Sequence, residues 1–504
     1  MCYNRRISRG TARTKSCLSD TLRLTHTLPD DVSTAETVAA VGRRFLLIAP
    51  TFPPSSEVGA LRWEKMLPFL ANRGWFADVI TLPSTQMLMP DARRVEKLPP
   101  QTRIFVVAER DPTWAIVLRT IKSGFRSIQR GVSTLKDRER AALKGPIAKD
   151  PYAGVSLTSE ECLAIVRPSL RVRMNVRLMQ ARANLWADDV LALVNGASEL
   201  QTVAVVTSGP PHNVHIAGRR LAATTDFPLL LDLRDPWAHN PSHGASVGCA
   251  SYIRWLQIEE GLAFAQARWI VGNTSLSTDR YGLDHPRHTK RVRTVWNGAD
   301  SDPMPQVHRE SHPFRIAYAG AIYAGRTPAS VFSALAALVR RLNLSPDDIR
   351  FDLMGDVQTV GAMSTMNLAR DAGLEAFVHL HAAGTRDEAR GFLATAHLLV
   401  SLPWPGREQV PAKIYEYADF PAWLLVLAHA DTAPAVRLRG TTAFVVDPEN
   451  ISEIEAALAN VYALHLANTV PRPVNFDGSL SREREANAFA DLLDQAALHT
   501  SGAT

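Results

Sequence analysis

Cysteine is scarce. The chain has four in 504 residues, Cys2, Cys17, Cys162 and Cys249, with neither pairing nor metal-ligand spacing. That scatter excludes a disulfide framework and a structural zinc site, and it fits a reducing compartment. Long apolar runs are missing too. None reaches the roughly 18 residues of a membrane-spanning helix, and the longest, Trp423-Leu424-Leu425-Val426-Leu427-Ala428, reads as a buried strand. Met1 to Lys15 is basic but lacks the apolar stretch of a secretory signal. A cytoplasmic protein is expected. Charge of one sign is not concentrated: 56 Lys and Arg stand against 50 Asp and Glu, a net +6. The excess suits anionic partners such as phosphates or lipid headgroups, and equally a mildly basic soluble enzyme. Its dispersal, with no aromatic-basic motif of the usual modules, argues against nucleic acid.

What is present is material for two large α/β domains, 46% hydrophobic and 21% charged. Residues 1–42, rich in Ser, Thr and Arg without a sustained period, read as a flexible N-terminal extension. Phe45-Leu46-Leu47-Ile48-Ala49 then ends in Pro50-Thr51-Phe52-Pro53-Pro54, the form of a parallel strand buried on both faces. A helix is expected from about Gly59 to Asn72, with Leu61, Met66, Leu67 and Leu70 on or near its inner face. Apolar runs at Ala77–Leu82, Ile104–Val107, Val203–Val206, Leu229–Asp232 and Trp269–Val271 continue a doubly wound sheet. The pattern restarts at Arg315–Tyr318 and continues through Phe351–Met354, Val378–Leu380, Leu398–Ser401 and Ala443–Val446. The expected domains are 43–305, with an insertion around 112–185, and 312–470. A last amphipathic helix, 480–500, is able to cross back to the first domain. Within the insertion Trp114, Val117, Leu118, Ile121, Phe125 and Ile128 fall at helical spacing, flanked by Arg119, Lys122, Arg126 and Arg130. That is the form of an interfacial membrane helix, or of one packed on its own domain.

Chemistry concentrates in Pro405-Gly406-Arg407-Glu408-Gln409-Val410-Pro411-Ala412-Lys413-Ile414-Tyr415-Glu416-Tyr417. The segment follows a buried strand, so its loop lies at the carboxyl end, where open α/β sheets bind ligands. Pro411 suits a first helical turn, leaving Glu408 in the loop and placing Lys413 and Glu416 one turn apart on one face. Two carboxylates there can accept hydrogen bonds from vicinal hydroxyls of a sugar and a ribose, and a lysine can meet a phosphate. The same residues also suit an exposed, charged helix start.

Glu408 and Glu416, with seven residues between them, resemble the signature of retaining GT-B glycosyltransferases, especially family 4, and Lys413-Ile414-Tyr415-Glu416-Tyr417 is similar to that family's Lys-Leu-x-Glu-Tyr form. The resemblance implies an α/β fold of the GT-B type, two doubly wound Rossmann-like domains facing a central cleft. It implies that Glu408 contacts donor-sugar hydroxyls and Glu416 the ribose of the nucleotide. Ala49-Pro50-Thr51-Phe52-Pro53-Pro54 and Gly59-Ala60-Leu61-Arg62 look like the family's first strand, proline turn and helix start facing the diphosphate, with one glycine, Gly59, where many members have two. Thr207 to His215 is similar to a loop on the acceptor side, which makes His212, and less so His215, candidates to hydrogen-bond a reacting hydroxyl. Asp232 to Trp237 resembles the next strand end, where Asp235 orients an acceptor or closes the cleft. Asn273-Thr274 and Val295 to Asp300 are similar to markers at the close of the first domain, the latter a hinge turn. Tyr318 to Arg326 resembles the phosphate-side loop, with Gly325 on the donor and Arg326 neutralising the leaving diphosphate beside Lys413.

By that resemblance the chain is a retaining glycosyltransferase that needs neither a metal nor a cofactor beyond its nucleotide-diphosphate sugar. The partners it implies are that donor and a saccharide or small-molecule acceptor; the helical spacing over Trp114 to Arg130 and the basic balance add a lipid-linked acceptor and peripheral attachment to the anionic inner face of a membrane. The rival readings are a nucleotide-sugar epimerase of the same fold and a silent sugar-nucleotide-binding protein of polysaccharide assembly.

Overall fold

The computed structural model describes residues 43–117, 170–240, 250–300, 302–322, 326–361, 363–404 and 406–500. The extension expected over 1–42, residues 118–169 of the expected insertion, the expected helix beyond Val117, and Gly325 lie outside the described residues.

The first half builds a seven-stranded sheet from β1 (Arg43–Ile48), β2 (Trp75–Thr81), β3 (Arg103–Val106), β4 (Thr202–Gly209), β5 (Leu229–Leu233), β6 (Ala267–Gly272) and β7 (Val292–Thr294). Their spatial order is β3-β2-β1-β4-β5-β6-β7, with every pairing parallel. The apolar runs in these strands are continuous because both faces of the sheet are covered; Phe45, Leu46, Leu47 and Ile48 are all fully buried. The second half repeats the plan with β8 (Phe314–Ala319), β9 (Ile349–Met354), a small hairpin β10 (Thr359–Val360) and β11 (Met363–Ser364), β12 (Val378–His381), β13 (Leu398–Ser401), β14 (Trp423–Leu427) and β15 (Phe444–Val446). Its six-stranded sheet runs β12-β9-β8-β13-β14-β15, again parallel. In both sheets the strand order reverses beside the first strand, between β1 and β4 and between β8 and β13, which opens a crevice at the carboxyl ends.

Two local readings differ from expectation. The helix expected from Gly59 begins as a 3₁₀ turn, Val58–Ala60, and becomes α-helical at Leu61. Leu61 is only half-buried, whereas Arg62 and Trp63 face inward because Asp232 lies beneath them. Residues 170–185 of the expected insertion belong to a 27-residue helix, Leu170–Gly196, that packs on the first half through Val176, Ala183, Trp186, Ala187 and Val190. Arginines on its outer side, such as Arg171 and Arg173, dilute the apolar period that marks a helix.

The chain beyond Gly42 forms one compact unit, and the C-terminal helix is part of the reason. After β15 and the Ile451–Leu466 helix, the chain pairs Ala299 with Ser481 and enters the helix Arg482–Thr500. That helix lies on the Leu61–Asn72 helix of the first half, burying Ala486, Phe489, Ala490 and Leu493 completely. Phe489 meets Trp63 edge-on at 5.2 Å between ring centroids, and Trp75 Nε1 donates to Asp494 at 3.0 Å. A Phe489→Ala variant is expected to lose roughly 3–5 kcal/mol, the usual cost of an aromatic-to-alanine cavity. It should unfold at a clearly lower midpoint in denaturant, whereas an unchanged midpoint would mean that the C-terminal helix does not hold the halves together.

Candidate active site

On the second-sheet side, β13 ends at Ser401 and the chain reaches Pro411, the N-cap of the short helix Ala412–Tyr417. A buried Phe420 closes the turn beyond it, with Phe420 N donating to Tyr417 O at 3.1 Å. Lys413 points back across the crevice to β8, where its ammonium donates to the Ala319 carbonyl and sits 4.9 Å from the Tyr318 ring centroid. The adjacent Gly320 has φ +134, and a Cβ there would overlap the Lys413 ammonium, so this position requires glycine. Burial, reinforced by the nearby Arg326 charge and opposed by Glu416, pulls the Lys413 ammonium down to about 8. Arg326 is buried with its guanidinium 4.6 Å from the Trp404 ring centroid, and Trp404 Nε1 donates to Gln409 Oε1 at 3.1 Å. A cavity of about 420 Å³ opens beside Trp404, between the carboxyl ends of β13 and β14 and the start of the Ala329–Leu342 helix.

Glu408 leaves this loop toward the first half. Its Oε2 accepts from His239 Nε2 at 2.9 Å. Its backbone carbonyl accepts from Thr274 Oγ1 at 2.6 Å and more weakly from Ser277 Oγ at 3.4 Å. Gln409 Nε2 donates to Asp235 Oδ1 at 2.7 Å. Thr274 also caps the helix Ser275–Asp284, so the Glu408 loop seats on a helix start of the first half.

On the first-sheet side, Arg234 follows β5 and gathers three carbonyls, donating to Gly59 O at 2.5 Å, Gly209 O at 3.2 Å and Pro210 O. A Cβ at Gly59 would strike that guanidinium, so the glycine leaves room for it. His212 stacks on Trp237 at 5.7 Å between centroids, and its Nδ1 lies 3.3 Å from His215 Nε2. His215 is fully buried against Thr207 Oγ1 at 2.7 Å; burial, aided by the Arg234 charge, pushes it down to about 3 and keeps it neutral. Burial raises the Asp235 carboxyl, against the Gln409 hydrogen bond and the Arg234 charge.

The structure thus brings Glu408 and Asp235 to one interface, and places Lys413, Glu416 and Arg326 together at the β8–β13 crevice. Gly59 and His212 sit at the carboxyl side of the first sheet, both near Arg234 through its carbonyl contacts and through His215. His239, Gln409, Arg234 and Trp404 were not singled out from sequence. Gln409 carried a signal, as the neighbour of Glu408; His239 carried none, since its partner is 169 positions away.

No protein-family model and no curated protein matches the chain. Among solved structures its fold is similar to that of a glycosyltransferase from Rickettsia africae ESF-5, at 11% identity, 90% of this chain, 98% of that one and a TM-score of 0.51. It is similar also to the lipopolysaccharide outer core galactosyltransferase WaaB in its apo form, at 9% identity, 91% and 99% coverage and a TM-score of 0.52. A third is a putative UDP-N-acetylglucosamine 2-epimerase from Listeria monocytogenes, at 10% identity, 92% and 98% coverage and a TM-score of 0.50. The expected fold is borne out: the chain has the GT-B architecture, two Rossmann-like parallel sheets with flanking helices.

Lys413 gives a pH dependence. Its folded value, about 8, lies below the ordinary lysine value of 10.5, so between these the unfolded chain holds the proton and the folded protein does not. Its contribution to stability therefore rises from pH 8 to about 10.5 and is lost as pH falls through 8. Replacing it, as in Lys413→Met, should flatten this part of the stability–pH curve by at most a few kcal/mol, read from unfolding midpoints. The same slope in both proteins would contradict the assignment.

Proposed function

We propose that this chain is a glycosyltransferase that moves a sugar from a nucleoside-diphosphate sugar to an acceptor saccharide, lipid-linked saccharide or small molecule. The observation that carries the reading is the meeting, across a GT-B cleft, of Glu408 and Gln409 from the second sheet with His239 and Asp235, respectively, from the first, beside the Lys413–Glu416 helix. The donor is held mainly by the second half. Glu416 takes the ribose hydroxyls, Glu408 the sugar hydroxyls, and Arg326 and Lys413 the diphosphate, with Gly325 in the phosphate-side loop and Gly59 facing it from the first sheet. Arg326 and Lys413 stabilise the charge that builds on the leaving diphosphate, so the transfer proceeds without a metal. The acceptor approaches from the first half, where Asp235 and His212 orient its hydroxyl. Glu408 positions the sugar; the acceptor oxygen bonds to the anomeric carbon on the face from which the diphosphate oxygen departs, the acceptor proton passes to that departing oxygen, and the configuration is retained. Contact between the halves excludes water and limits hydrolysis of the donor.

An epimerase of the same fold remains the second reading, and the similarity to the Listeria monocytogenes structure favours keeping it. It predicts turnover of a nucleotide sugar with no acceptor present. The silent-binding reading predicts ligand binding with no turnover.

A screen of nucleoside diphosphates and nucleotide sugars by thermal shift, on wild type and Glu416→Ala, tests the donor site. A true donor at a hundredfold excess over its dissociation constant adds about 2.7 kcal/mol to apparent stability, and the variant should lose most of it. No shift with any of them would overturn the donor assignment.

Cytoplasmic polysaccharide assembly at the inner face of a membrane follows as the setting. No helix among the described residues is long and apolar enough to cross a membrane. Trp114, Ile116 and Val117 are exposed, which suits peripheral attachment to a membrane surface. Anionic vesicles should retain the protein at low salt and release a Trp114→Ala, Ile116→Ala double variant; failure to bind at low and at moderate salt would sink the idea.

A further inference from the structure

Among the groups assigned to the donor, Glu408 has a carboxylate already engaged from across the cleft. A carboxylate only accepts hydrogen bonds, so His239 must present Nε2–H to it, the same role a sugar hydroxyl would play. The imidazole is built into a firm seat. Its side chain is 10% exposed and meets the Tyr281 ring edge-on at 5.2 Å between centroids. Nδ1 is buried, makes no hydrogen bond among the described residues and lies 3.6 Å from Asp284 Oδ2, which Arg280 holds at 2.8 Å. The imidazole therefore has one strong tie, and that tie is Glu408.

The loop does not depend on that tie for its place. Thr274 Oγ1 and Ser277 Oγ hold the Glu408 carbonyl, and Gln409 holds Asp235. Losing the imidazole frees the carboxylate without releasing the backbone that carries it.

From this geometry we infer that His239 is a specificity-determining residue which stands in for the donor sugar, occupying Glu408 until a sugar hydroxyl displaces it. The inference rests on the donor reading of Glu408 given above. A nucleotide sugar must break the His239–Glu408 bond to bind, and a bare nucleoside diphosphate need not. Sugar-bearing ligands thus bind more weakly than the pocket would allow, by the fraction of protein whose carboxylate is free. After transfer, His239 returns to Glu408 and closes the sugar position behind the departing product.

The test titrates one nucleotide sugar and its nucleoside diphosphate against wild type, His239→Phe, Glu408→Gln and the double variant. Phenylalanine keeps the packing on Tyr281 and removes the N–H. His239→Phe should tighten nucleotide-sugar binding on the order of tenfold, the worth of a hydrogen bond to a charged group, with nucleoside-diphosphate binding within about twofold of wild type. Adding Glu408→Gln should erase the gain. In the ligand-free proteins the unfolding midpoints of the two single variants should be non-additive. Nucleotide-sugar binding that is unchanged or weaker in His239→Phe, or additive midpoints, overturns the inference while nucleoside-diphosphate binding keeps the donor reading intact. Absence of any nucleotide binding with coupled midpoints overturns the donor reading, and the stand-in role falls with it.

Discussion

A single buried carboxylate organises the first half. Asp232, at the carboxyl end of β5, is fully buried and accepts from Arg62 at 2.9 Å, Trp63 Nε1 at 3.1 Å and Ser208 Oγ at 2.7 Å. Arg62 in turn donates to Val295 O, Trp296 O and Asn297 Oδ1. One pair thus fixes the first helix, the ends of β4 and β5, and the connection that leads into the second half. Breaking such a pair on one side leaves an uncompensated charge in the interior, commonly at 3–5 kcal/mol. The placement of Arg234, two residues on, and of Asp235 and His239 beyond it depends on this anchor.

The cations of the cleft are arranged differently from those of the framework. Asp78 takes Arg44 and Arg103, and Asp352 takes Arg315 and Arg350, so each of those arginines shares a carboxylate partner. Arg234 and Lys413 instead donate to backbone carbonyls. Carbonyls satisfy the donors without bringing a full countercharge, which comes instead from Asp232 and Asp235 near Arg234 and from Glu416 near Lys413. Burial, with the Arg326 charge beside it, holds the Lys413 ammonium down at about 8 against the pull of Glu416.

Much of the fold was legible in the chain because strands buried on both faces read as unbroken apolar runs. Phe45–Ile48, Leu229–Asp232, Phe351–Met354 and Leu398–Ser401 all fall within strands. What escaped was short or diluted. β7 has three residues, and the helix Leu170–Gly196 carries arginines through its outer face, so neither shows a clean period. The candidate site was partly legible for a related reason: Glu408, Lys413 and Glu416 lie within one loop and one helical turn, where spacing is informative. Arg234 and His239 were invisible, since each acts through atoms far away in the chain.

The sequence by itself determined the alternation of strand and helix, the restart that makes a second sheet, and the local order of charges after β13. Periodicity and turn chemistry are properties of neighbours, so they survive without a structure. Tertiary structure alone decided that Phe489 of the C-terminal helix meets Trp63, that Asp232 binds Arg62 across 170 positions, and that the Glu408 carboxylate ends against His239. These depend on how two sheets and their crossovers pack at the carboxyl ends. Packing of that kind is set by the summed burial of many residues, and no short stretch of the chain encodes it.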